Sequence, residues 1–68
     1  MIVELNGKPF ELRAGTSLAE AVAASGAAPS QRGLAVALDG EVVPRAEWDR
    51  TVVRPGQKVE VVQAVQGG

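Results

Sequence analysis

Gly67 and Gly68 stand at the end of the sequence behind Ala64-Val65-Gln66, and a carboxylate at Gly68 is flanked by no side chain. Such an end can thread a channel too narrow for other residue types and present its carboxylate to chemistry in a second protein that no internal residue could reach. A frayed end has the same composition. At about 7% glycine usage, an adjacent pair falls in a given place by chance roughly once in 200 sequences. The tail alone leaves both readings open.

Elsewhere reactive groups are scarce. The chain has no Cys and no His, which removes thiol nucleophiles, disulfides, most zinc sites and the usual general base near neutral pH. Glu47 and Asp49 form a carboxylate pair, but their spacing around Trp48 fits a solvated turn better than an acid/base couple. Neither G-x-x-x-x-G-K-[ST] nor G-x-G-x-x-G occurs, and the glycines fall at turns. With a net charge of -1 and Phe10 and Trp48 as the only aromatics, the chain lacks the basic face and stacking platforms of a nucleic-acid binder. Lys8 and Lys58 read as solubilising charges at strand edges. These residues describe a protein with no catalytic group, metal site or bound cofactor of its own.

No run reaches the apolar length of a membrane span, and Met1-Ile2-Val3-Glu4 lacks the basic-then-apolar order of a secretory leader, so a cytoplasmic protein is expected. Sixty-eight residues make one domain close to the lower limit for a core without staples. Ordering the chain costs roughly 1.5 kcal/mol per residue, on the order of 100 kcal/mol in all, so nearly every Val, Leu and Ile must be buried. Little apolar surface is left over for an internal ligand pocket.

The elements that must position the tail can be read in order. Ile2 to Leu5 and Pro9 to Leu12 alternate around Asn6-Gly7, a pair that accepts the positive φ angles of a type I′ hairpin turn. Pro9 lacks an N–H, so the second strand lies at a sheet edge or turns that position toward solvent, with Phe10 and Leu12 on one face. Ser17-Leu18-Ala19-Glu20 is a capping box, followed by a stripe of Leu18, Ala21, Val22 and Ser25 and a stop at Gly26 and Pro29. Ala27 to Gly33 is a polar surface loop. Leu34 to Leu38 is an apolar strand leading through Asp39-Gly40, a second hairpin signal, into Glu41 to Val43. Arg45 to Trp48 fits one helical turn with Pro44 at its start, Trp48 sealing the core edge, and Arg54-Pro55-Gly56 turns the chain into a last strand from Lys58.

Hairpin, helix, hairpin, turn and strand make a two-layer α+β domain: a mixed sheet of about five strands with one main helix on one face. In the last strand Val59 and Val61 face the helix, which turns Glu60, Val62 and Ala64 to the opposite face. Val62, near Ala64, Val65 and the terminus, is therefore a candidate docking position.

At this point the pieces resemble a family, the ubiquitin-like (β-grasp) sulfur carriers and among them the ThiS family of thiamin biosynthesis. The resemblance spans the chain: Met1 to Gly7, Thr16-Ser17-Leu18, Val36 through Trp48, and Val59 through Gly68. The terminal glycines are common to all such carriers. The run from Val36 on into Val43-Pro44-Arg45-Ala46-Glu47-Trp48 is the more specific part.

The resemblance implies a β-grasp domain over residues 1–64 and a flexible tail over 65–68. A ThiF-like adenylating enzyme, using ATP and Mg, would convert the Gly68 carboxylate to an acyl-adenylate, and a cysteine-derived persulfide would supply the sulfur of a Gly68 thiocarboxylate. A ThiG-like thiazole synthase would then take that sulfur. Gly67, Gln66, Val65 and Ala64 would thread the partner's active site, with Val62 at its mouth. A carrier for molybdopterin synthesis or transfer-RNA thiolation, a ubiquitin-like modifier and a plain interaction domain are the rival readings.

Overall fold

The chain is described by a computed structural model over residues 1–28, 30 and 32–63. Two hairpins and a final strand build one sheet. Strands β1 (Ile2–Leu5) and β2 (Lys8–Glu11) pair antiparallel, and β3 (Leu34–Leu38) and β4 (Glu41–Val42) do the same. Both turns are built on a left-handed residue followed by glycine, Asn6 (φ 49°) with Gly7 (φ 83°) and Asp39 (φ 50°) with Gly40 (φ 85°). Those angles define the type I′ turn, whose twist matches the strands it joins.

Strand β5 (Lys58–Gln63) lies between the hairpins, giving the order β2-β1-β5-β3-β4. It runs parallel to β1, with Glu4 opposite Lys58 and Leu5 opposite Val59, and antiparallel to β3 from Leu34–Gln63 to Leu38–Val59. The sheet is thus mixed, as expected, and β2 with Pro9 is an edge strand.

Helix α1 (Leu18–Ala24) covers one face. Its start is the capping box read from sequence: the Glu20 N–H donates to Ser17 Oγ at 3.1 Å, and the Ser17 N–H donates to Glu20 Oε1 at 3.0 Å. The Ser17 N–H, and after it the Ser17 side chain, hold the Glu20 carboxyl below its ordinary pKa. Leu18, Ala21 and Val22 are buried against Val3, Leu5, Val36 and Val59 of the sheet, and Leu12, Trp48 and Val53 close the edges of that core. Full burial of each large aliphatic side chain contributes about 1.5–3 kcal/mol, and this core is where the ordering entropy of so short a chain is offset.

Besides β2, which runs Lys8–Glu11 in place of Pro9 to Leu12, two boundaries differ from the sequence reading. The helical segment after Pro44 is not one turn but a six-residue 3-10 helix, Arg45–Arg50, and Pro44 caps it from an extended conformation (ψ 143°) instead of entering it. Strand β4 ends at Val42: the Val43 N–H still donates to Val36 O at 2.9 Å, one step further along the same register, but its carbonyl accepts the Trp48 Nε1–H at 2.8 Å. Trp48, only 3% exposed, is the expected plug, and the Arg45 guanidinium lies 4.5 Å from its ring centroid. Phe10 sits opposite Val3 on the helix side of the sheet, but at the edge it stays partly exposed. Among the described residues no helix is long and apolar enough to cross a membrane.

Candidate functional site

The residues on which the chemical expectation rests, Ala64, Val65, Gln66, Gly67 and Gly68, lie outside the described residues, as do Pro29 and Gln31 of the loop before β3. What the structure describes is the base from which the tail continues, β5 up to Gln63 and the sheet around it.

On β5 the period-two alternation holds. Val59 is buried and Val61 half-buried on the helix side, while Glu60 and Val62 are exposed on the other face. Val62 is 58% exposed, as the sequence predicts. The register adds neighbours that the sequence reading did not supply: Ala35 is opposite Val62, and Ala37 is opposite Glu60 on one side and Val42 on the other. Val62, Ala35, Ala37 and Val42 therefore share the face that the helix leaves uncovered, and Val42 is 73% exposed. The signal was present in Leu34-Ala35-Val36-Ala37-Leu38, where large and small residues alternate. The larger ones turn inward and the alanines outward, which makes β3's share of the outer face flat and apolar, with Glu60 of β5 beside it.

The opposite edge of β5 is built differently. Strand β1 pairs with it only as far as Val59, and one residue further on, the Asn6 N–H donates to Val59 O at 2.9 Å. Asn6 Oδ1 in turn accepts the Val61 N–H at 2.8 Å. At the beginning of β5, Asp39 Oδ1 accepts the Lys58 N–H and Oδ2 accepts the Gln57 side-chain amide, both at 2.9 Å. The Lys58 amide, and next the Gln57 amide, hold the Asp39 carboxyl below its ordinary pKa. Sequence reasoning took Asn6 and Asp39 for turn formers and missed their grip on β5, since nothing local marks a contact between residues so far apart along the chain.

The other sequence candidates stay apart from this region. Glu47 and Asp49 are exposed on the 3-10 helix on either side of the buried Trp48, and the Glu47 carbonyl accepts the Thr51 hydroxyl at 2.7 Å. Among the described residues no group of three or more Asp, Glu, His or Cys is arranged to hold a metal ion. An open depression lies beside the end of β5, walled by Asn6, Leu34, Val61 and Gln63 and by the end of α1 at Ser25.

A mixed sheet gripping one helix, with the last strand at its centre and a flat apolar face beside it, is the β-grasp of ubiquitin-like carriers. The sequence model of the ThiS family matches residues 3–68, and the chain belongs to that family of sulfur carriers. It is similar to the crystal structure of the thiamine biosynthesis protein (ThiS) from Geobacter metallireducens, with a TM-score of 0.82 and 31% identity over 100% of both chains. It is similar also to the NMR solution structure of a thiamine biosynthesis protein from the same organism, with a TM-score of 0.78 and 31% identity over 100% of this chain and 88% of that one. A comparison with curated proteins gave no match.

Proposed function

We propose that this chain carries sulfur for thiamin biosynthesis on the carboxyl group of Gly68. The observation that carries the reading is the family match, which runs from the first strand through the Gly67-Gly68 pair. The fold supports it by placing the strand that leads into the tail at the centre of the sheet.

The chemistry proceeds in a partner's active site. A ThiF-like adenylating enzyme binds ATP with Mg, and a Gly68 carboxylate oxygen attacks the α-phosphorus, releasing pyrophosphate and leaving an acyl-adenylate. The terminal sulfur of a cysteine-derived persulfide attacks the acyl carbon and AMP departs. A thiol reductant then cleaves the sulfur–sulfur bond to free the thiocarboxylate, whose sulfur a ThiG-like thiazole synthase takes up. Gly67, Gln66, Val65 and Ala64 occupy the channel, while Val62 and its alanine neighbours rest on the partner's surface. This chain binds no cofactor in the scheme. With no cysteine available, it has no second place to hold sulfur.

The experiment is intact-protein mass after incubation with ATP, Mg, the adenylating enzyme, a persulfide source and a thiol reductant. A gain equal to replacing one oxygen by sulfur supports the reading, and an unchanged mass overturns it. Offering the product to thiazole synthase, molybdopterin synthesis and a transfer-RNA thiolase separates the carriers, and only sulfur in thiazole supports the assignment made here. Conjugates that resist both thiol reductants and hydroxylamine would mark a modifier instead.

A further inference from the structure

Strand β5 is held on both edges by the same device. Asn6 and Asp39 each occupy the first turn position with positive φ, 49° and 50°. Each donates its own N–H to a β5 carbonyl, Asn6 to Val59 at 2.9 Å and Asp39 to Lys58 at 2.8 Å. Each also turns a side-chain oxygen onto a β5 amide, Asp39 onto Lys58 at 2.9 Å and Asn6 onto Val61 at 2.8 Å. The two turns are not equivalent in what they replace. Asp39 acts at the start of β5, whereas Asn6 acts where β1 has ended, its last pair being Leu5 with Val59. Alternation puts the Val61 N–H on the same edge as the Val59 carbonyl, so the Asn6 side chain stands in for a strand that is no longer there.

We propose that Asn6 is a positioning residue for the carboxyl-terminal segment: by holding Val61 on the edge that β1 leaves, opposite the β3 pairing of Val62 and Gln63, it steadies the strand end from which the chain continues toward a partner's active site. The role rests on the carrier function proposed above. A carboxylate that must meet a phosphorus atom in line gains from a tether whose origin does not move, because misplacement of a reacting group by about 1 Å lowers rates on the order of 100-fold. Docking through Val62 and Ala35 uses the other edge and face, so the clamp affects reaction of the bound chain more than its binding.

Two full-length variants separate the bond from the turn. Asn6→Gly keeps the positive φ and removes the acceptor. Asn6→Asp keeps both, as Asp39 already does in the equivalent position. In Asn6→Gly, amide exchange at Val61 accelerates about tenfold, the loss of one hydrogen bond of ordinary net strength, with exchange at Lys58 unchanged. With the adenylating enzyme, kcat for pyrophosphate release falls about three- to tenfold while KM stays within about twofold, a loss confined to the reacting geometry of the bound chain. Asn6→Asp restores exchange and kcat.

Unchanged Val61 exchange in Asn6→Gly overturns the proposal, as does a wild-type kcat in that variant, a failure of Asn6→Asp to restore, or loss of the fold in Asn6→Gly. The last outcome would show that the bond carries the domain and not the aim of the tail. If the unsubstituted chain releases no pyrophosphate, the carrier reading fails and takes the positioning role with it. Normal release with a wild-type kcat in Asn6→Gly removes the positioning role alone.

Discussion

At Gly68 the proposed chemistry depends on the absence of a single carbon. A Cβ there would stand beside the carboxylate that has to approach the α-phosphate and its metal, and displacement of the reacting atoms is costly out of proportion to the distance moved. Gly68→Ala should lower adenylation on the order of 100-fold with the thermal melt unchanged, and pyrophosphate exchange at the wild-type rate would count against the need for a bare carbon at Gly68. Asp39 makes a different kind of prediction. Its carboxyl is held below the ordinary value of 3.8 by the Lys58 and Gln57 amides, so the folded state binds its proton less readily than the unfolded chain. The stability this confers is fully present above the unfolded pKa and is lost as the pH falls from 3.8 through the lower folded value. Asp39→Asn should therefore flatten the acid limb of a plot of melting temperature against pH. Part of the limb should remain, because the Glu20 carboxyl is lowered in the same sense.

Among the elements, α1 is the one whose start is most fully written in local sequence. Ser17 and Glu20 satisfy each other's backbone amides, and this helix spans only the seven residues Leu18–Ala24. A helix that short does not persist on propensity alone. Ser17→Ala should cost about 1 kcal/mol, readable as a lower midpoint in urea with the slope unchanged. The two hairpin turns were equally legible, because Asn-Gly and Asp-Gly announce positive φ in two adjacent residues. The 3-10 helix was not. Its first residues read as a single turn, and its extension to Arg50 follows from the need to carry Trp48 into the core, where Nε1 meets the Val43 carbonyl. Such a demand arises from packing and leaves no local mark.

For the whole molecule, the sequence indicated a sheet with one covered face, and the register then decided what the other face is made of. Val62 could be placed by alternation along β5. Its neighbours Ala35, Ala37 and Val42 could not, because pairing of β3 with β5 joins segments separated by β4 and the 3-10 helix. The grip of Asn6 on Val61 was hidden for the same reason. An exposed, flat apolar patch beside the base of the tail is suited to lie against a partner. Val62→Glu should weaken binding to the adenylating enzyme about tenfold or more while moving stability by less than about 0.5 kcal/mol. A titration and a thermal melt, run side by side, check this; failure of both together would place Val62 in the core instead.

The parallel pairing of β1 with β5 carries a temporal consequence. Strand β1 finds its first partner in β2 and its second only in β5, and the two hairpins cannot be joined into one sheet until β5 arrives. Until then the nascent chain has two half-sheets and an unanchored helix, with the apolar faces of Val3 and Val36 open to water. Assembly of this domain is therefore postponed until β5 has left the ribosome, and an interrupted product stopping before Lys58 would remain open to proteolysis.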